Sequence, residues 1–215
     1  MEIYETEEEQ IEALKRWWKE NGQATITGII VGVAMILGWN FWQNYKRDQA
    51  LQASALYEQL LTAADEGKVE SADKIADRID DQYKGIAYST YAELIKAKIK
   101  VQQNDLEGAK QVLEATVASA DNELSHVARL RLIRILLAKG EYEQGLQLIA
   151  EVDPGSAAGF SGAYDELKGD LYVALDRSGE ARTAYQAALR SGSQSPLLQF
   201  KIDDLTEAEI ISTPK

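Results

Sequence analysis

The side chains that could do chemistry in this sequence are few and poorly matched to one another. The chain has one histidine, His126, and no cysteine, which excludes histidine-based metal sites within one chain, thiolate catalysis and cysteine-ligated metals. Gly159-Phe-Ser161-Gly-Ala163 looks like the nucleophile elbow of a hydrolase, but the final glycine is missing and no strand precedes it. We therefore predict that the chain is not an enzyme and holds no cofactor and no metal.

Acidic side chains are abundant, but their arrangement does not indicate a site. Pairs such as Asp80-Asp81 and Asp203-Asp204 are typical of solvated helical faces. The chain has 23 basic and 35 acidic residues, and residues 1–47 hold 5 and 7 of them, so residues 48–215 keep 18 and 28, a net charge of −10. Such a domain is repelled by nucleic-acid phosphates and anionic lipid headgroups. We therefore expect no binding of nucleic acid.

Residues 24–42 form an uncharged run of 19 residues. A membrane-spanning helix needs about 20 predominantly apolar residues. Two alternatives are a cleaved signal peptide, disfavoured by the Glu-rich leader of 23 residues, and a buried core helix, disfavoured by basic and aromatic flanks. The sequence predicts an uncleaved transmembrane helix over residues 24–43, in contact with the lipid bilayer. The flanking residues are Lys15, Arg16, Trp17, Trp18 and Lys19 before the run and Tyr45, Lys46 and Arg47 after it.

Ala24, Gly28 and Gly32 recur every four residues within the predicted span and form a ridge of small side chains. Small residues let another membrane helix approach closely, so this ridge is a candidate packing surface, although glycine is common in membrane helices. Slightly more basic residues precede the span than follow it, which favours a cytoplasmic N-terminus.

The leader, residues 1–23, is Glu-rich and has apolar side chains at helical spacing from Ile11 to Trp18. We expect a helix there that ends at Gly22. One interpretation is an amphipathic helix that lies in the membrane interface, and the other is a docking segment for a cytoplasmic partner.

The rest of the chain shows an internal repeat with a period of 36 residues, which aligns Ala97, Ile133 and Gly169. The third unit matches tetratricopeptide spacing at five positions. The predicted fold class is all-α, a single N-terminal transmembrane helix followed by a tetratricopeptide-like α-solenoid over residues 44–206. The residues expected to pack one helix against another are Ala109, Gly145, Gly169, Tyr172, Ala181, Tyr185 and Ala188.

The helical boundaries follow from this register. No glycine or proline lies between Trp39 and Glu66, so the segment to Glu66 can continue the membrane helix. A short helix is predicted over 70–80, and a last helix is predicted to start at Ser195-Pro196. Between them lie three predicted helix pairs: 85–103 with 105–119, 122–139 with 141–151, and 160–177 with 179–191. The last helix, with Pro196 at its first position, is expected to bury Leu197, Leu198, Phe200, Ile202 and Leu205 as an end cap, before a flexible tail over 207–215.

The first helices of the pairs are expected to line a concave face. Such a groove can hold a short helix or an extended apolar segment. In the alternative arrangement, helices within residues 44–80 fold back over this face and make it ordinary core. The groove candidates are Tyr91, Leu94, Lys98, Val127, Leu130, Arg134, Leu137, Glu166, Asp170 and Val173.

Several stretches of the chain carry a family resemblance. The opening Met1-Glu-Ile-Tyr4, the Thr6-Glu-Glu-Glu-Gln10 run, Lys15-Arg-Trp-Trp-Lys-Glu-Asn-Gly22 and the glycine-spaced anchor resemble the YfgM-type family, ancillary subunits of the Sec translocon in Gram-negative bacteria. The resemblance runs through the whole chain and is most specific in residues 1–47. It implies a cytoplasmic leader, one span of the inner membrane and a periplasmic tetratricopeptide-like domain.

The resemblance also implies partners. These are the SecYEG channel, the membrane-anchored prolyl-isomerase-like chaperone PpiD, and translocating polypeptides that are handed to periplasmic chaperones. Two alternatives stay open: a structural adaptor of an envelope assembly that never touches unfolded clients, and a protein controlled by a cytoplasmic regulator bound to the leader between Glu7 and Glu20.

Overall fold

A computed structural model describes residues 7–120, 122–193 and 195–211, and its regular structure in these ranges is entirely α-helical. The predicted all-α fold class is confirmed. The chain divides into two units, residues 1–52 and 53–215, and each is described by itself. The helices are α1 (Glu7–Asp65), α2 (Val69–Gln82), α3 (Ala87–Gln102), α4 (Leu106–Ser119), α5 (Asn122–Lys139), α6 (Tyr142–Ala150), α7 (Ser161–Ala174), α8 (Ser178–Arg190) and α9 (Leu198–Ile211).

Helix α1 runs for 59 residues without a break, so the predicted stop at Gly22 is wrong. One glycine costs a helix only about 1 kcal/mol relative to alanine, and the neighbouring residues favour helix. The indole of Trp18 covers Gly22, since a Cβ at Gly22 would lie 3.2 Å from that ring. The helix ends before Gly67, which adopts a φ of +70°.

Helices α3 to α8 form the three predicted pairs, and every observed end lies within three residues of its predicted position. Each first helix of a pair ends in the same turn, with a positive φ at Asn104 (62°), Gly140 (79°) and Asp176 (57°). In each turn the next N–H donates to the carbonyl five residues earlier over 2.9 Å, as in a Schellman motif. The 36-residue period is therefore present in the backbone as well as in the sequence.

The interior of residues 53–215 is a row of apolar clusters between successive helices. The cluster around Leu60 joins α1, α2 and α3, and the cluster around Leu113 joins α3, α4 and α5. The next surrounds Leu171 and joins α5, α6 and α7, and the last surrounds Leu198 between α8 and α9. Each helix pair shares its core with the next pair, which is the organisation of a solenoid.

Helix α9 packs on α8 with one face only. Leu198 and Leu205 are buried, whereas Leu197 and Phe200 are 60% and 70% exposed, so their predicted burial is wrong. The reason is geometric: one stripe of a helix, here positions 198, 202 and 205, faces a neighbour at a time.

The start of α9 also differs from the prediction. The helix begins at Leu198, so Pro196 precedes it and is not its first residue. At its other end α9 continues to Ile211, and the remainder of the expected tail, residues 212–215, lies outside the described residues.

Candidate functional site

A cavity of about 430 Å³ opens between α3 and α5, the first helices of two consecutive pairs. Its floor is apolar: Ala97, Leu113 and Ile135 are buried, and Val101 is 41% exposed at its edge. Concave apolar surfaces of a few hundred Å³ are typical of binding sites. The cavity is therefore a candidate site for side chains of a partner.

Three basic side chains line the same cavity: Lys98 from α3, and Arg131 and Arg134 from α5. One guanidinium nitrogen of Arg131, Nη1, donates to the Leu94 carbonyl over 3.2 Å. This bond positions Arg131 and leaves its other N–H groups available to a ligand. All three side chains are exposed, and within the described ranges none of them forms an ion pair with a carboxylate.

The groove residues predicted from the sequence fall into three groups by exposure. Leu94 and Leu130 are core residues, 5% and 7% exposed. The structure brings Lys98 and Arg134 together at the cavity, and it holds Glu166 and Asp170 against α9 instead. The exposed members are Tyr91, Lys98, Arg134 and Val173, and the half-buried members are Val127, Leu137, Glu166 and Asp170.

The sequence reasoning missed Val101, Arg131 and Ile135, three lining residues of the cavity. The signal was present in the spacing, because each of them lies three or four residues from another lining position on the same helix. The alignment of the repeats identified one groove position in each helical turn, and it did not identify the positions next to it.

Residues 53–83 pack against α3 and reach one end of the predicted groove. The ring of Tyr57 lies 5.7 Å from that of Tyr88 and 5.9 Å from that of Tyr91, between ring centroids. Partial burial raises the pKa of Tyr57. This packing contacts the tyrosine end of the face, and the cavity stays accessible because Lys98 and Arg134 remain exposed.

Glu166 and Asp170 belong to a polar network that attaches α9. Lys201 Nζ lies 2.9 Å from Glu166 Oε1 and 2.7 Å from Asp170 Oδ1, and the Tyr185 hydroxyl donates to the same Asp170 oxygen over 2.7 Å. Burial raises the pKa of Glu166, but the hydrogen bond and charge of Lys201, together with hydrogen bonds from Ser195 and Ser193, hold that pKa below its ordinary value. These carboxylates are thus engaged within the domain.

The residues predicted to pack helix against helix lie at close helix contacts. A Cβ at Gly145 would be 3.0 Å from Leu171, and a Cβ at Gly169 would be 2.2 Å from the ring of Tyr185. Tyr172 is half-buried. The three alanines of the set are fully buried: Ala109, Ala181 and Ala188.

The residues that suggested chemistry have structural contacts. His126 is buried, with Nδ1 2.9 Å from the Tyr164 hydroxyl and its ring stacked on Phe160. Burial raises the pKa of Tyr164 to about 12, with Arg129 opposing the shift, so this hydroxyl stays protonated and can donate to the imidazole. The Ser161 hydroxyl donates to a backbone carbonyl. Among the described residues, no group of three or more acidic, histidine or cysteine side chains is arranged to hold a metal ion.

Helix α1 is the one helix, within the part of the chain that the structure describes, that is long and apolar enough to cross a membrane. Its most apolar window of 18 residues has a mean hydropathy of 1.8, and none of that window is buried. At Gly28 and Gly32 an added Cβ would meet no atom within 4 Å. The small-residue ridge is therefore open to another helix or to lipid.

Comparison with known proteins supports this description. A family model described as a tetratricopeptide repeat-like domain matches residues 15–207. A solved structure named MamA MSR-1 C2 superposes with a TM-score of 0.50 at 15% identity over 74% of this chain and 87% of that chain, which shows a shared fold.

Two curated relatives match at nearly full length. The first, from Escherichia coli K12, is 32% identical over 96% of this chain and 100% of its own length. The second, from Haemophilus influenzae, is 32% identical over 93% of this chain and 97% of its own length. Both are named "Ancillary SecYEG translocon subunit". The chain therefore belongs to the family of ancillary SecYEG translocon subunits and contains a tetratricopeptide repeat-like domain.

Proposed function

We propose that this protein is a non-catalytic ancillary subunit of the Sec translocon that helps to hand translocated polypeptides to periplasmic chaperones. In this proposal residues 1–23 are cytoplasmic, residues 24–43 cross the inner membrane, and residues 44–206 are periplasmic. The observation that carries it is the match, along nearly the whole chain, to relatives named ancillary SecYEG translocon subunits.

The anchor supports association with a membrane partner. Lipid gives membrane helices no hydrophobic drive to associate, so close packing of small residues has to supply it. Gly28 and Gly32 of the small-residue ridge leave room for a neighbouring backbone. We assign this ridge to contact with a helix of SecYEG.

The cavity between α3 and α5 supports binding of polypeptides. An anchor beside the channel holds this cavity near the exit and raises its effective concentration there, so a weak site is sufficient. The family resemblance adds the membrane-anchored chaperone PpiD as a second partner of the protein.

The test is crosslinking in membranes followed by affinity purification of the tagged full chain. A matched variant keeps residues 44–215 and replaces residues 24–43 with an unrelated membrane span. We expect SecYEG subunits and PpiD to copurify with the natural chain and SecYEG to be strongly depleted from the span-swapped variant. Failure of the natural chain to capture any SecYEG subunit would refute the proposal.

The same preparation separates the proposal from the structural-adaptor alternative. Photo-crosslinkers along residues 85–140 should capture translocating polypeptides when secretion is active. A stoichiometric partner recovered without any translocating chain, together with no suppression of aggregation by the protein, would favour the adaptor.

A further inference from the structure

We propose that the cavity between α3 and α5 binds polypeptide segments in which aliphatic side chains are flanked by carboxylates. This inference deepens the proposed function, on which it rests, by naming the class of polypeptide that the domain selects. It is carried by the combination of an apolar floor and an unpaired basic rim.

The basic rim, formed by Lys98, Arg131 and Arg134, has the opposite sign to the net charge of the domain. Residues 48–215 carry a net charge of −10, and several basic side chains at the helix contacts are neutralised by acidic neighbours. Lys96 lies 2.6 Å from Asp77, and Lys110 lies 2.5 Å from Glu141. Where acidic side chains are in excess, three cations around one cavity that have no carboxylate partner among the described residues mark a place where the ligand supplies the negative charge.

The three rim cations lie where the carboxylates of a bound ligand can contact them. Lys98 and Val101 are one turn apart on α3, and Arg131 and Arg134 are one turn apart on α5, so both helices place cations at the opening, beside the apolar surface of Val101. The bond from Arg131 to the Leu94 carbonyl reduces the freedom that Arg131 loses when a carboxylate binds.

The floor selects an aliphatic side chain. Ala97, Leu113 and Ile135 present buried apolar surface, and a cavity of about 430 Å³ has room for a few side chains of that kind. An anionic bilayer is a poorer match, because it would have to approach a domain with a net charge of −10.

The test uses the full chain in nanodiscs of zwitterionic lipid and three fluorescein-labelled peptides, GSELLEAG, GSQLLQAG and GSKLLKAG, followed by fluorescence anisotropy. We expect the acidic peptide to bind about tenfold more tightly than the basic one, a difference of about 1.4 kcal/mol. Its affinity should fall as sodium chloride is raised, since exposed charge pairs are screened by salt.

Variants identify the site. Lys98→Gln with Arg134→Gln should weaken binding of the acidic peptide about tenfold and change binding of the neutral peptide by less than twofold. Val101→Asp should weaken both. The matched control, Lys84→Gln with Arg190→Gln, removes two exposed cations that do not line the cavity, and it should bind like the natural chain.

Three results would overturn the inference: no saturable binding of the acidic peptide, equal loss in the rim and control variants, or binding of anionic vesicles through Lys98 and Arg134 without any binding of peptide. Copurification of SecYEG with the rim variant is measured in parallel. If SecYEG is retained while peptide binding is absent, only this inference fails, whereas loss of SecYEG from the natural chain refutes the proposed function.

Discussion

The contact between Gly169 and Tyr185 makes a quantitative prediction about the third helix pair. In Gly169→Ala the new methyl group would lie 2.2 Å from the Tyr185 ring, which is only 2% exposed and cannot move into solvent freely. The ring must shift, and its hydroxyl then loses the 2.7 Å bond to Asp170. Overpacking costs about 1–3 kcal/mol, and a hydrogen bond to a charged group contributes about 1.5–3 kcal/mol. Alanine has a helix propensity about 1 kcal/mol more favourable than glycine, so we expect a net loss of about 1.5–5 kcal/mol in the free energy of unfolding.

The assay is denaturant unfolding of the full chain in mild detergent, followed by far-ultraviolet circular dichroism. Tryptophan fluorescence is unsuitable because all four tryptophans lie within residues 1–52. Gly179→Ala is the matched control, since a Cβ there meets no atom within 4 Å. Combining Gly169→Ala with Tyr185→Leu should cost less than the sum of the two changes. Equal stability of the two alanine variants would refute the packing argument.

Further predictions concern charge and topology. Lys201→Met should destabilise the domain by about 1–2 kcal/mol at neutral pH, less than the loss of a fully buried ion pair. Because the pKa of Glu166 is lowered on folding, this contribution is present above the ordinary carboxyl pKa and is lost as pH falls through the folded value. Burial raises the pKa of Glu93, with Lys96 opposing the shift. The stability of the domain therefore falls as pH rises through the raised pKa of this carboxyl. Unfolding curves should show Glu93→Gln more stable than the natural chain at pH 7 and equal to it in acid. Because the natural chain has no cysteine, Lys84→Cys should react with an impermeant maleimide in intact spheroplasts, and Gln10→Cys only after permeabilisation; the reverse pattern would contradict the proposed orientation.

The helix pairs were predictable because their signal is repeated three times. Small residues at fixed spacing let the helices approach, and Gly140 marks one of the three equivalent turns. The turns at Asn104 and Asp176 were not predictable as left-handed, because neither contains glycine and the hydrogen bonds of the turn select the conformation.

The errors have a common physical cause. The sequence shows which residues are apolar, but burial depends on how many faces of a helix have a neighbour. Phe200 is exposed because α9 has a partner on one side. Helix α1 continues through Gly22 because the neighbouring residues favour helix and one glycine costs little.

The candidate site was partly predictable. The repeat register identifies Lys98 and Arg134 as groove residues. It does not identify Arg131, whose side chain is positioned at the cavity by its bond to the carbonyl of Leu94. Glu166 and Asp170 were predicted to lie in the groove, but the position of Lys201 on α9 determines their partners, and tertiary contacts between distant segments are not encoded in local spacing.

Association of the anchor with SecYEG is tested most directly by site-specific photo-crosslinking from the anchor in native membranes. Crosslinkers at Gly28 and Gly32 report on the small-residue ridge, and a crosslinker at Ile30 reports on the opposite side of the same helix. We predict products with SecYEG subunits from both ridge positions and much less product from Ile30. Absence of SecYEG products from all three positions, with the protein correctly inserted, would contradict the account.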